Sequence, residues 1–90
     1  MDLALEKKRC LVTGASAGIG RAIATVMAHE GVELAISARR RDRLDELADE
    51  IEASEGTRPL VVDTDLMTEN GPAQLHASVT GALGGLDILI

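Results

Sequence analysis

Four short apolar runs alternate along the chain with three longer stretches in which apolar residues recur every three or four positions. The first run, about Arg9 to Val12, is apolar at three successive positions and does not alternate. That pattern predicts a central parallel strand covered on both faces. Ile19, Ala22, Ile23 and Val26 then follow the i, i+3, i+4, i+7 spacing of a helix from Gly18 to His29, with those four residues inward. Gly31 is placed to cap it and His29 sits in its last turn, where a cation or a bond to a free carbonyl is favourable. Val32 to Ser37 reads as a second strand. Arg41 to Ser54 reads as a second helix, with Leu44, Leu47, Ala48 and Ile51 inward, an acidic outer side and Gly56 closing it. Pro59 to Val62 is a third strand, with proline tolerated at its first residue. Thr68 is the expected N-cap of a third helix, Glu69 to Leu83, with Leu75, Val79 and Leu83 inward. Gly84 and Gly85 end that helix, and Leu86 to Ile90 predicts a fourth strand. Strands and helices that alternate with short loops imply right-handed crossovers and a parallel sheet of the α/β class.

Between the first strand and the first helix lies Thr13-Gly14-Ala15-Ser16-Ala17-Gly18-Ile19-Gly20. Gly14 allows a sharp turn, Gly18 leaves room where a pyrophosphate would approach, and Gly20 permits close packing of helix on strand. The free N–H groups and the positive dipole end of the helix would face that anion. A P-loop is excluded, because no Gly-Lys-Ser/Thr stands at the required offset from Gly14. Gly14-Ala15-Ser16-Ala17-Gly18 also matches the Gly-x-Ser-x-Gly elbow of a serine hydrolase. That elbow needs an acid and then a histidine, and both histidines, His29 and His76, fall in helical patterns. A turn that merely requires glycine would not need three of them at this spacing.

At 90 residues the chain is one small domain at most, and 46 % of it is apolar without a single Phe, Tyr or Trp. Its core is therefore aliphatic. A net charge of −6 argues against nucleic acid as the main partner. No apolar run approaches the roughly 20 residues of a membrane span, and Met1 to Arg9 lacks the continuous apolar segment of a signal peptide. Cys10 is the only cysteine, which forbids an internal disulfide and fits a buried thiol in a cytoplasmic protein.

Thr13-Gly14-Ala15-Ser16-Ala17-Gly18-Ile19-Gly20 resembles the Thr-Gly-x-x-x-Gly-x-Gly motif of the short-chain dehydrogenase/reductase family. Asp65-Leu66, after the third strand, is similar to the pair that contacts adenine in that family. Gly84-Gly85-Leu86-Asp87-Ile88-Leu89-Ile90 is similar to its run into the fourth strand, which normally continues into Asn-Asn-Ala-Gly. The resemblance implies a Rossmann-type doubly wound parallel sheet, here reaching only its fourth strand, in the order 3-2-1-4. Right-handed crossovers then place the first two helices on one face and the third on the other. Family members are generally longer and carry a catalytic Ser, Tyr and Lys beyond the fourth strand; this chain has no Tyr, and both of its lysines, Lys7 and Lys8, precede the glycine turn. Residues 1–90 are thus expected to be the cofactor-binding first part of a single domain, without catalytic residues, and inactive alone.

Cofactor choice turns on the end of the second strand, where NAD enzymes usually place an acid against the ribose hydroxyls. Ala38 stands there and Arg39 follows, and a guanidinium grips a 2′-phosphate that a carboxylate would repel. Ser16 could donate to the same phosphate, whereas Arg40, Arg41 and Arg43 read as the solvated start of a helix. The cofactor-binding set implied by the resemblance is Gly14, Ser16, Gly18, Ile19, Gly20, Arg39, Asp65 and Leu66, with NADP favoured over NAD and no metal ligand. The Asp65 carboxylate would accept from the adenine amino group while the Leu66 backbone meets the ring. The full-length protein is then expected to be an oxidoreductase acting on a small carbonyl or alcohol, with wording closest to the 3-oxoacyl-carrier-protein reductases, and homo-oligomeric. The alternative is a nucleotide-binding or interaction module without catalysis.

Overall fold

The computed structural model describes residues 7–16, 18–64 and 70–90. Its elements run β1 (Arg9–Thr13), α1 (Gly18–His29), β2 (Glu33–Ala38), α2 (Arg41–Glu55), β3 (Leu60–Asp63), α3 (Gly71–Leu83) and β4 (Ile88–Leu89). The four strands form one parallel sheet in the order β3-β2-β1-β4. Cys10 lies opposite Leu34 of β2 and Ile88 of β4, and Ile36 of β2 lies opposite Val61 of β3.

Side chains alternate across this sheet, so each strand feeds two cores. Cys10, Val12, Leu34 and Ile36 point to the side of α1 and α2, where Ala24, Leu44, Leu47, Ala48 and Ile51 complete a buried cluster. Leu11 and Ala35 point the other way, under Leu75 and Val79 of α3, with Leu60, Val62, Leu83 and Leu86 at the margin. Two helices on one face and the third on the other is the arrangement that right-handed crossovers require. Cys10 is fully buried, and that burial pushes its thiol pKa up.

α1 departs from the expected face. Ile19 and Val26 are 79 % and 58 % exposed and Ala22 is exposed, whereas Ala24 is buried and Ile23, Met27 and Ala28 pack on the core. The helix is rotated by about one residue from its bulkiest stripe. The cause sits at its first turn: a Cβ on Gly20 would lie 2.3 Å from the Gly14 carbonyl oxygen. Close approach at Gly20 sets the rotation, and the small residue four positions on, Ala24, follows it inward.

Other boundaries shift for local reasons. α3 starts at Gly71 with Asn70 at the N-cap, two residues later than Glu69, because Pro72 suits a first turn where no N–H is needed. Thr68 lies outside the described residues. β4 is two residues long where five were expected. Gly84 (φ +81°) and Gly85 (φ +152°) turn the chain there. The Asp87 carboxylate then takes the Arg9 N–H at 2.9 Å, and the Asp87 N–H donates to the Arg9 carbonyl at 2.9 Å. A side chain thus replaces the first rung of the ladder. The Arg9 guanidinium grips both Asp87 oxygens (2.9 and 3.2 Å) and the Gly84 carbonyl (3.0 Å), tying the starts of β1 and β4 together. Beyond them Leu89 is 65 % and Ile90 38 % exposed, while Leu86 and Ile88 are partly covered.

Candidate cofactor site

All strands being parallel, their C-terminal ends share one rim, and the N-terminus of α1 opens on the same rim. β1 ends at Thr13, whose N–H and hydroxyl both donate to the Ile90 carbonyl, at 2.8 and 2.9 Å. Gly14 then turns at φ +65°, a conformation that glycine adopts without steric cost. Ala15 is buried and its N–H donates to the Ser37 carbonyl (3.1 Å), which fastens the turn across to β2. Ser16 is half-buried; Ala17 lies outside the described residues. Gly18, at φ +61°, starts α1 in the open, and a Cβ there would meet nothing within 4 Å.

Two of the three glycines therefore serve conformation and the third serves contact. Gly20 packs closely against the turn at the end of β1, on Gly14 and Ala15. The space above Gly18 is the room an approaching anion would use. The first turn of α1 carries no acidic residue, so nothing on it offsets the positive end of the helix dipole. Ile19, also on that turn, projects into solvent.

β2 brings Ala38 to the same rim, where its carbonyl accepts from the Thr64 N–H at 3.0 Å. Arg39 follows and is exposed. Arg40 pairs with Asp42 (3.0 Å), and Arg41 with Asp45 (3.5 Å) and Asp63 (3.2 Å), as expected of a solvated helix start. Arg39 enters no ion pair among the described residues. The rim thus gathers Gly14, Ser16, Gly18, Ile19, Gly20 and Arg39, while Asp65 and Leu66, which directly follow Thr64, lie outside the described residues.

A hydrolase elbow at Ser16 finds no partner here. His29 is at the far end of α1, beside Glu55 (3.3 Å), and His76 belongs to α3 on the opposite face. Among the described residues no cluster of His, Cys, Asp and Glu is suited to a metal ion, and no helix is long and apolar enough to cross a membrane.

The described rim is that of a dinucleotide-binding fold, and comparison with known proteins bears this out. A model of the short chain dehydrogenase family matches residues 8–90. The chain belongs to the short-chain dehydrogenase family. It is 36 % identical over 83 residues to a glucose 1-dehydrogenase of Gluconobacter oxydans, covering 92 % of this chain and 31 % of that protein. Among solved structures, the L-sorbose reductase of Gluconobacter frateurii complexed with NADPH and L-sorbose is 40 % identical with a TM-score of 0.92. That match covers 99 % of this chain and 34 % of the reductase. An alcohol dehydrogenase of Thermococcus sibiricus complexed with 5-hydroxy-NADP is 33 % identical, covering 93 % of this chain and 36 % of its own, with a TM-score of 0.87. This short-chain dehydrogenase sequence spans 7 % to 36 % of the length of the curated relatives it matches.

Proposed function

We propose that residues 1–90 are the N-terminal part of a single NAD(P)-binding domain, and that the full-length protein is an oxidoreductase that prefers NADP(H). The observation that carries the preference is Arg39, an exposed guanidinium without an ionic partner among the described residues, directly after Ala38, which stands where an acid would select NAD. A carboxylate neighbour would have neutralised it and repelled a phosphate; Ala38 does neither. Gly18, open above and at the N-terminus of α1, would take the pyrophosphate, with Ser16 donating from the turn. The sorbose reductase and the Thermococcus enzyme, bound to NADPH and 5-hydroxy-NADP, support the same cofactor class.

A bound nicotinamide would supply or accept the hydride exchanged with a carbonyl or alcohol substrate. The residues of this chain hold the adenosine and pyrophosphate end and orient it; they carry no proton to the substrate. With no tyrosine available as general acid, the chain alone is expected to bind weakly and to turn nothing over. The relatives above are named for sugars and alcohols, which supports the carbonyl/alcohol class and does not single out a 3-oxoacyl thioester.

The test is a cofactor switch in the full-length protein. Ala38→Asp combined with Arg39→Gln should lower the ratio of kcat/KM for NADPH over NADH by about tenfold to hundredfold, the worth of one charge-assisted bidentate contact. An unchanged ratio would remove Arg39 from the site.

A further inference from the structure

Acidic residues outnumber basic ones in this chain by 15 to 9, and most arginines are accordingly neutralised. Arg9 pairs with Asp87, Arg21 with Glu50, Arg40 with Asp42, Arg41 with Asp45 and Asp63, and Arg58 with Asp49. Two remain without an ion pair among the described residues: Arg39, just after β2, and Arg43, in the first turn of α2. In a protein with carboxylates to spare, two guanidinium groups without an ion pair among the described residues, four positions apart across the β2–α2 turn, are an arrangement that awaits an anion.

The position of Arg43 on α2 decides which anion. Glu50 lies two helical turns further along and therefore on the same flank, and it reaches Arg21 of α1. Arg41 marks the other flank, since it pairs with Asp63 at the end of β3. Arg43 thus stands on the side of α2 that faces α1, whose N-terminal glycine turn opens on the same rim, and it is exposed there. The N-cap residue, Arg40, makes no side-chain cap bond to the backbone of the first turn; its guanidinium is turned to the Asp42 carboxylate instead (3.0 Å).

We infer that Arg43 is a second determinant of cofactor choice, sharing the adenosine 2′-phosphate with Arg39; this rests on the NADP(H) reading above. A phosphate monoester carries a charge of about −1.5 to −2 near pH 7, more than one guanidinium neutralises. The remaining charge falls to Arg43, because Arg40 and Arg41 are already held by carboxylates. Arg43 touches neither the ribose nor the pyrophosphate in this scheme, so it acts on NADP(H) and leaves NAD(H) alone.

The experiment is titration of the full-length protein with NADPH, NADH and 2′,5′-ADP, comparing wild type with Arg43→Gln, Arg43→Lys, Arg39→Gln and Arg40→Gln. Arg43→Gln should weaken NADPH and 2′,5′-ADP about tenfold, the loss of one charge-assisted contact, with NADH unchanged. Arg43→Lys should restore part of that loss, raised salt should narrow the difference, and Arg40→Gln should leave the preference as it is. If Arg39→Gln lowers NADPH affinity while Arg43→Gln does not, the role of Arg43 is overturned and the NADP(H) reading stands. If Arg43→Gln weakens NADPH and NADH alike, Arg43 is structural and the inference fails. If the wild type shows no preference for NADPH, both fail together.

Discussion

Gly20→Ala is the substitution whose cost can be worked most directly from the structure. The added Cβ would lie 2.3 Å from the Gly14 carbonyl oxygen, 2.9 Å from its carbon and 3.3 Å from the Ala15 Cα. All three atoms are backbone. They belong to a turn held at φ +65° and bonded to β2 through the Ala15 N–H, so α1 must shift by about an ångström to admit the methyl group. Overpacking of this kind costs about 1–3 kcal/mol, and an unyielding backbone puts it at the upper end. Alanine's better helix propensity returns about 1 kcal/mol, leaving roughly 2 kcal/mol of net destabilisation. Gly18→Ala and Gly56→Ala calibrate the result. Each residue has a positive φ (+61° and +80°) with open space around it, so each change costs only the left-handed penalty, about 1 kcal/mol. Urea unfolding of the full-length variants should rank Gly20→Ala as the least stable, with Gly18→Ala and Gly56→Ala alike. NADPH titration should separate that last pair, since only Gly18→Ala puts a methyl group where the pyrophosphate is expected. Wild-type stability for Gly20→Ala would refute the close approach as the element that sets the rotation of α1.

Two further outcomes concern the frame around the site. The Arg9 guanidinium and N–H hold the Asp87 carboxyl down to about 2 from 3.8. A pKa depressed in the folded state gives stability that is present above the unfolded value and lost as pH falls through the folded one. The tie between β1 and β4 should therefore weaken between about pH 4 and pH 2; Asp87→Asn should flatten that part of the acid-unfolding profile and raise amide exchange at Ile90 first. For α1, Val26→Ser should change stability by less than about 0.5 kcal/mol and Ala24→Leu should cost about 1–3 kcal/mol, measured by thermal unfolding. The reverse order would restore the bulky stripe as the buried face.

Much of this was legible in the residues. Uninterrupted apolar triplets such as Cys10-Leu11-Val12 announce strands covered on both faces, and the glycine turn fixes where the first helix begins. Leu44, Leu47, Ala48 and Ile51 were read correctly as the inner face of α2, because no glycine there competes with bulk for the contact. On α1 hydrophobicity misled, since the deciding residue was the one with no side chain. β4 was overestimated because its first rung is made by the Asp87 carboxylate, a capture that the apolar pattern does not encode. The difference among the arginines is hidden for a similar reason: four clustered arginines look equivalent until the structure shows which of them have found carboxylates. Paired Arg40 and Arg41 carry the signal by subtraction.

Whether this rim binds a dinucleotide by its 2′-phosphate is tested by direct titration of the wild-type full-length protein with NADPH and NADH. Both should bind saturably, with NADPH tighter by about tenfold or more and the gap closing as salt is raised. Equal affinities, or tighter binding of NADH, would contradict that mode of binding.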